Sequence, residues 1–485
     1  MPQRTARLAV WAFLLWTAVA SCRGGVVWTP LFATCLAMLW SSYLCDPAEF
    51  WKKHAHGTVF FGCLAIYLST FRWRGGDDTP ASILPLAILN HGTMTLDPVI
   101  DPWLTGKYKD FVIETGGHKL TLFSTVPAIL ALPAYLLPAL CKADLTVQSL
   151  HNLSKVSAAV ITAASAAIFY LGVRPRCSRR WALAVTAFYA LNCFSFSVAS
   201  QGLWEHGPAQ LGLALGLMGL FGGADWLSGF GFALAVGARP DTALFASAAG
   251  CWLIFFAPRR LPRFLTGAAI PLGLLAVYWV HYTGKLEPPE MQFHAHVFKG
   301  LRMDALLGFL FSPTRGLLFF CPIAFFGIYG ALHRGFRDSA VWLLASCGLS
   351  LLLVSSYGFW TAGMTFGPRY LSGASVILLF FCADIEEVIR RRGAWLSAFA
   401  FAGVFSVLVG ALGSYLNWPG SYSYEVQEAQ AWWWSLHPVS QLFADAGGLG
   451  RMVLPVRVLV GAVILGASAW AASALRDTLS SSIEQ

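Results

Sequence analysis

The chain has 485 residues, of which 57% are hydrophobic and only 12% charged. A soluble protein of this size keeps about a quarter of its residues charged, so a water-soluble domain of any size is excluded and lipid is the expected solvent. The net charge of +9 does not point to nucleic acid, because the basic clusters Arg174–Arg180, Arg259–Arg263, His333–Arg337 and Arg390–Arg392 are each wedged between apolar runs. That is the pattern of cytoplasmic loops in a membrane protein.

In chain order, Arg4 and Arg7 precede an apolar run, Leu8–Ala20, that reads as a retained first span with a cytoplasmic N-terminus. Further candidate spans lie near Val26–Leu44, Val59–Phe71, Leu153–Val173, Trp181–Ser200, Pro208–Gly222, Leu227–Ala238 and Thr242–Ala257. Others follow near Phe264–Thr283, Gly316–Leu332, Ser339–Tyr357, Leu371–Ala383, Trp395–Tyr415 and Val453–Ala474. Several fall short of the ~20 residues of a full crossing. The two on either side of Arg239-Pro240 fit a broken pair that dips in and returns. The expected fold class is an all-α integral membrane protein, a polytopic bundle of about 12–14 transmembrane helices.

The stretch Leu122–Leu140 is apolar but carries Pro127, Pro133 and Pro138, which a smooth spanning helix tolerates poorly. If it crossed, the basic 174–180 loop would lie outside, against the positive-inside rule. It therefore reads as a surface-lying or re-entrant helix on the outer face. All the basic clusters then fall inside, and the outer side receives 72–121, 201–207, 284–315, 358–370 and 416–452. The eleven cysteines are scattered and form no C-x-x-C pair, so they read as packing residues.

Chemistry-bearing residues concentrate in these outer segments. Asp77 and Asp78 follow a Gly-Gly just past a span, where a carboxylate could take a proton from an acceptor hydroxyl; a solvated turn with an Asp cap fits the same residues. Glu205 and His206 sit side by side in a short turn and could share or orient the acceptor, or be plain interfacial polar residues. Arg239, Arg315 and Arg369 each stand beside a proline or glycine at the edge of an apolar run. A guanidinium at membrane depth fits phosphate oxygens, and snorkelling to headgroups explains any one of the three. His118 and Lys119 could bind phosphate or cap the surface helix. Glu290, His294 and His296 lack a full ligand set, so no metal is expected. The Trp432–Trp434 run reads as an interfacial belt. No phosphate-binding loop or dinucleotide motif occurs, and no cofactor is expected.

Taken in order, these motifs resemble the GT-C superfamily of membrane glycosyltransferases, near the protein O-mannosyltransferase and aminoarabinose-transferase branch. The stretches carrying the resemblance are GDDTPASILPLAILNHGTMTLD, TVPAILALPAYLLP, AAIFYLGVRPRCSRR, SQGLWEHGPAQLGLAL, FALAVGARPDTAL, LLGFLFSPTRGLLFFCPIAF and WTAGMTFGPRYL. The resemblance covers roughly residues 72–371. It implies a catalytic core there, between N-terminal spans over 1–71 and C-terminal spans over 372–485. It further implies a donor sugar on a polyprenyl phosphate, a glycan, lipid or protein acceptor, and inversion at the sugar. It implies a bacterial inner-membrane location with membrane lipids as neighbours. By the same resemblance Asp78, or Asp77, would be the base and Glu205 a second acidic residue, with Arg369 and Arg315 facing the donor phosphate. The chain departs from the pattern in two ways. Two extra apolar segments precede the acidic loop, and Ser124-Thr125-Val126-Pro127 replaces Tyr-Pro-Pro or His-Pro-Pro, which leaves the roles of His118 and Lys119 open. A transporter or flippase of a lipid-linked or small anionic substrate would share the apolar spans and arginines, but should show repeat symmetry; none is visible.

Overall fold

The computed structural model describes residues 47–70, 76–100, 111–142, 145–363, 365–415 and 424–441. The apolar segments expected near 8–21, 26–44 and 453–474 lie outside the described residues. The helices run α1 Pro47–Leu68, α2 Thr79–His91, α3 Val126–Leu140, α4 Val147–Val173, α5 Arg179–Leu191, α6 His206–Gly222 and α7 Asp225–Ala238. They continue with α8 Ala243–Phe256, α9 Leu261–Thr283, α10 Pro289–Val297, α11 Met303–Phe311, α12 Leu317–Phe320, α13 Ala324–His333 and α14 Ser339–Ser355. The last are α15 Ser372–Phe381, α16 Glu386–Arg390, α17 Gly393–Tyr415, α18 Tyr424–Gln430 and α19 Pro438–Gln441. The molecule is a helical membrane protein.

Among the described residues, three helical stretches are long and apolar enough to cross a membrane: Val147–Arg176, Pro258–Thr283 and Gly393–Tyr415. A fourth arises if α5 and the π-helical Cys193–Ala199, which bend by 41°, form one broken span. The bend has a local cause. Asn192 is extended, and its side-chain oxygen accepts from the amides of Phe194 and Ser195 at 2.9 and 3.1 Å. The expected span 316–332 is likewise split into α12 and α13, with Pro322 at the break, where the ring removes a donor and blocks a continuous helix.

Helix α3 has 15 residues, about 22 Å at 1.5 Å per residue, against about 30 Å of hydrocarbon. It falls short of a full crossing, as do α7 and α8 at 14 residues each. Ala128, Ala131 and Tyr135 are buried in the cluster shared with α2 and α4, Val126 packs with Ala209, Ala238 and Leu275, and Leu136 and Leu140 face out.

One element is absent from the expected all-α reading. Strands β1 (Val112–Thr115) and β2 (His118–Thr121) pair antiparallel, joined by Gly116-Gly117. Both glycines have positive φ, 59° and 79°, as a two-residue hairpin turn requires.

The bundle packs through small residues. A Cβ on Gly216 would lie 2.8 Å from the Phe232 ring, and one on Gly231 would lie 2.3 Å from the Gly216 amide. The α6 and α7 backbones thus touch, which is how helices associate where lipid removes the hydrophobic drive. Larger side chains fill the other seams, as where Trp181 of α5 stacks on Phe399 of α17 at 4.5 Å between ring centroids.

Charged residues gather at two ends. Ser154 and Arg174, near the two ends of α4, are about 30 Å apart along the helix. Near Arg174, the sequence-distant basic clusters meet. Arg176 and Arg334 both pair with Asp384, Arg334 pairs with Asp338 at 2.8 Å, and Arg390 with Glu386 at 3.0 Å. Glu386 also accepts the Ser178 amide at 2.7 Å. The Ser154 end holds the candidate site.

Candidate active site

The first loop meets the rest of the chain through Asp77 and Asp78. Asp77 Oδ2 accepts from the Arg369 guanidinium at 3.2 Å, an ion pair across 292 positions. Asp78 opens α2 directly ahead of Thr79-Pro80 and is only 5% exposed. Its Oδ2 accepts from Ser154 of α4 at 3.5 Å, and Gly202 packs so closely that a Cβ there would lie 2.6 Å from that oxygen. Oδ1 is enclosed without a well-formed hydrogen bond among the described residues. Burial, with the Asp77 charge adding to it, pushes the Asp78 carboxyl up to about 7. The two neighbours therefore differ: Asp77 has a cation, and Asp78 is buried with its carboxyl raised.

The turn 200–205 carries the next residues. Glu205 Oε1 accepts the Ser124 amide at 3.0 Å, which fixes the start of α3, and the Ser124 hydroxyl donates to Gly237 O at 2.6 Å. Glu205 also hydrogen-bonds Glu290, whose carboxyl burial pushes up to about 8. His206 is buried, with Nδ1 3.0 Å from Ser372 Oγ and 2.5 Å from Arg239 Nη1. A guanidinium can only donate, so Nδ1 accepts from it and the imidazole is neutral.

The three arginines are held differently. Arg239 grips Asp241 with both arms of its fork, at 3.1 and 2.9 Å, and spends its third nitrogen on His206 and Ser372. Arg369 has Asp77. Arg315 donates to the carbonyls of Thr365 at 2.8 Å and Gly363 at 3.0 Å, and among the described residues it forms no ion pair with a carboxylate. Burial first, and then the nearby Arg369 charge, lower its guanidinium to about 10. A cation destabilised by a like charge favours the arrival of an anion.

His118 and Lys119 lie on β2. Asp97 accepts from the Lys119 amide at 2.7 Å and contacts His118 Nδ1 at 2.8 Å, and the His118 ring meets Tyr282 edge-on. The contacts of His118 run to Asp97 and Tyr282 rather than to the two aspartates.

Several residues of this region went unnoticed in the sequence: Ser154, Lys155, Asp97, Tyr135, Asp241 and Gly202. Lys155 had a legible signal, being a lone cation inside an expected span. Glu290 was weighed only as a metal ligand; among the described residues no group of three or more His, Cys, Asp or Glu could hold a metal. Asp241 stands two residues from its partner Arg239, whereas Ser154, Asp97, Tyr135 and Gly202 had no signal, because their neighbours in space are brought in from distant segments.

No protein-family model matches the chain, and no curated protein does. Among solved structures it is similar to the Archaeoglobus fulgidus oligosaccharyltransferase AglB in complex with an inhibitory peptide and a dolichol-phosphate, at 13% identity and a TM-score of 0.42, over 89% of this chain and 56% of that one. It is similar to the arabinosyltransferase EmbB from Mycobacterium smegmatis at 12% and 0.43, over 93% of this chain and 44% of that one. It is also similar to ArnT from Cupriavidus metallidurans in the apo state at 14% and 0.44, over 88% of this chain and 75% of that one. The chain spans about half the length of the first two. These solved structures are GT-C glycosyltransferases, and at such identities and TM-scores the likeness carries no argument about activity, substrate or individual residues.

Proposed function

We propose that the chain is a membrane glycosyltransferase that moves a sugar from a polyprenyl-phosphate donor to a hydroxyl acceptor at the outer face of a bacterial inner membrane, with inversion. The observation that carries this reading is the Asp77–Arg369 ion pair. Its carboxylate, Asp77, adjoins the buried Asp78 in the chain, and its guanidinium lies near Arg315, which forms no ion pair with a carboxylate among the described residues. A base and an anion site in one place suit a displacement at a phosphorylated sugar.

The step balances with these residues. The acceptor oxygen attacks the anomeric carbon as the bond to the phosphate oxygen breaks. The acceptor proton passes to Asp78, and the electron pair leaves on the polyprenyl phosphate. The departing phosphate monoester gains negative charge, which Arg315 and Arg369 meet in this scheme; fixed charge of this kind is usually the largest catalytic contribution. Arg239 is committed to Asp241 and His206 and takes a positioning role in this scheme. Glu205 holds the start of α3 through the Ser124 amide, His206 opens α6, and His118 and Lys119, tied to Asp97 on the hairpin, take no step in this scheme.

The test is direct transfer. Purified protein in lipid, given radiolabelled polyprenyl-phosphate sugars and a membrane extract, should move label to a glycan, lipid or protein acceptor and release the polyprenyl phosphate. Transport of labelled solute into sealed vesicles, with no transfer from any donor in the panel, would replace this reading with a transporter.

A further inference from the structure

Lys155 has no exposed surface and lies nine residues into α4, within a stretch long and apolar enough to cross a membrane. A buried ammonium at such depth is costly and calls for a reason. Its Nζ donates to Ser200 O at 2.6 Å, and it forms no ion pair with a carboxylate among the described residues. It is thus not half of a structural salt bridge.

Its neighbour Ser154 acts on the same turn. Leu203 N donates to Ser154 Oγ at 3.1 Å, and that hydroxyl donates on to Asp78 Oδ2 at 3.5 Å. Consecutive helix residues point about 100° apart, so Ser154 and Lys155 hold residues 200 and 203 from two directions. Gln201 adds a third tie, donating to Phe196 O at 2.7 Å and Thr70 Oγ1 at 3.1 Å. Between these anchors stands Gly202, the residue packed on Asp78 Oδ2.

We propose that Lys155 and Ser154 are a positioning pair that clamps the 200–203 turn against Asp78 and thereby fixes the orientation of the base. The proposal rests on the glycosyltransferase reading above and adds residues to it. Lys155 acts through the turn and does not touch substrate. Its ammonium is matched to a backbone carbonyl, which a methionine of similar length cannot satisfy.

The experiment is a double-mutant cycle on the full-length protein in lipid, read as donor-sugar transfer. Lys155→Met should lower kcat at least tenfold and leave the donor KM within twofold, since Arg315 and Arg369 are held by other segments. In the Asp78→Asn background the same substitution should lower the residual rate less than twofold, because the base it positions is already gone. Ser154→Ala, which removes the second arm with one atom, should show the same split and the same loss of effect, and it decides the matter if Lys155→Met does not fold. Wild-type kcat in a folded Lys155→Met or in Ser154→Ala overturns the clamp. So does a loss that multiplies with Asp78→Asn, the mark of a general structural role. Wild-type turnover in Asp78→Asn itself would sink the base, whereas a dead Asp78→Asn beside a fully active Lys155→Met sinks only the clamp.

Discussion

The two charged ends of the bundle use similar residues to opposite effect. At the 174–180 end Arg176, Arg334, Arg390 and Arg260 each have a carboxylate, from Asp384, Asp338, Glu386 or Asp225. Arg176 also lies over the neighbouring rings of Phe221 and Phe380, at 4.2 and 4.4 Å. At the other end the matching is incomplete. Arg315 is held by carbonyls, while Asp78 and Glu290 are buried and their carboxyls raised to about 7 and about 8. Matched charges lock elements together. Mismatched ones are poised for a proton or an anion that is not part of the chain.

The sharpest way to break this contrast is at the base. Asp78→Asn keeps shape and most hydrogen bonding but removes basicity, so transfer should fall by about 10²–10⁴-fold with donor binding intact. Asp77→Asn should be milder and Glu205→Gln intermediate, as measured by initial rates of label transfer. Turnover near wild type in Asp78→Asn, with Asp77→Asn inactive, moves the base by one residue; activity in the double variant removes the mechanism.

The opposite end should respond in stability and not in rate. Asp384 and Arg176 have side chains only 8% and 10% exposed, and removing one partner of a buried pair costs about 3–5 kcal/mol. Asp384→Asn should therefore melt earlier in detergent, while the folded fraction transfers sugar at the wild-type rate. An unchanged melting curve, or a specific loss of kcat, would erase the distinction between the two ends.

Arg315 tests the anion side. A charge-assisted hydrogen bond is worth about 1.5–3 kcal/mol, so Arg315→Ala should weaken the donor by about 10- to 150-fold in kcat/KM, with Lys restoring part because it lacks the fork. Arg369→Ala should show a similar donor defect and also free Asp77. Donor saturation curves for the two variants decide it, and an unaltered curve for Arg315→Ala would return that residue to snorkelling.

The smallest effect is a shift in pH. Asp78 must be ionised to accept a proton, so the rate should fall as pH drops through about 7. The Asp77 charge raises the Asp78 carboxyl, second to burial; Asp77→Asn should therefore move the acid limb to lower pH. A limb that stays put, or moves up, means that Asp77 does not act on the group that titrates.

The sequence by itself determined the solvent and most of the helices. Long apolar runs with charge confined between them leave a chain no choice but lipid, and the observed α6, α7, α8, α9, α14 and α17 match the expected spans to within a few residues. The basic 174–180 loop, with the three prolines of 126–140 in support, reads α3 as a non-crossing helix, and at 15 residues it falls short of a full crossing. The 112–121 hairpin was missed although Gly-Gly between alternating residues is a turn signal, because it sits inside a loop judged by hydropathy alone. The site divides the same way. Carboxylates, arginines and the Glu-His turn stood out one by one, since charge is rare in such a chain. That Arg369 meets Asp77, that Asp78 is the buried aspartate, and that Lys155 reaches Ser200 were decided only by the tertiary structure: each depends on segments tens to hundreds of positions apart coming together, which no local pattern encodes.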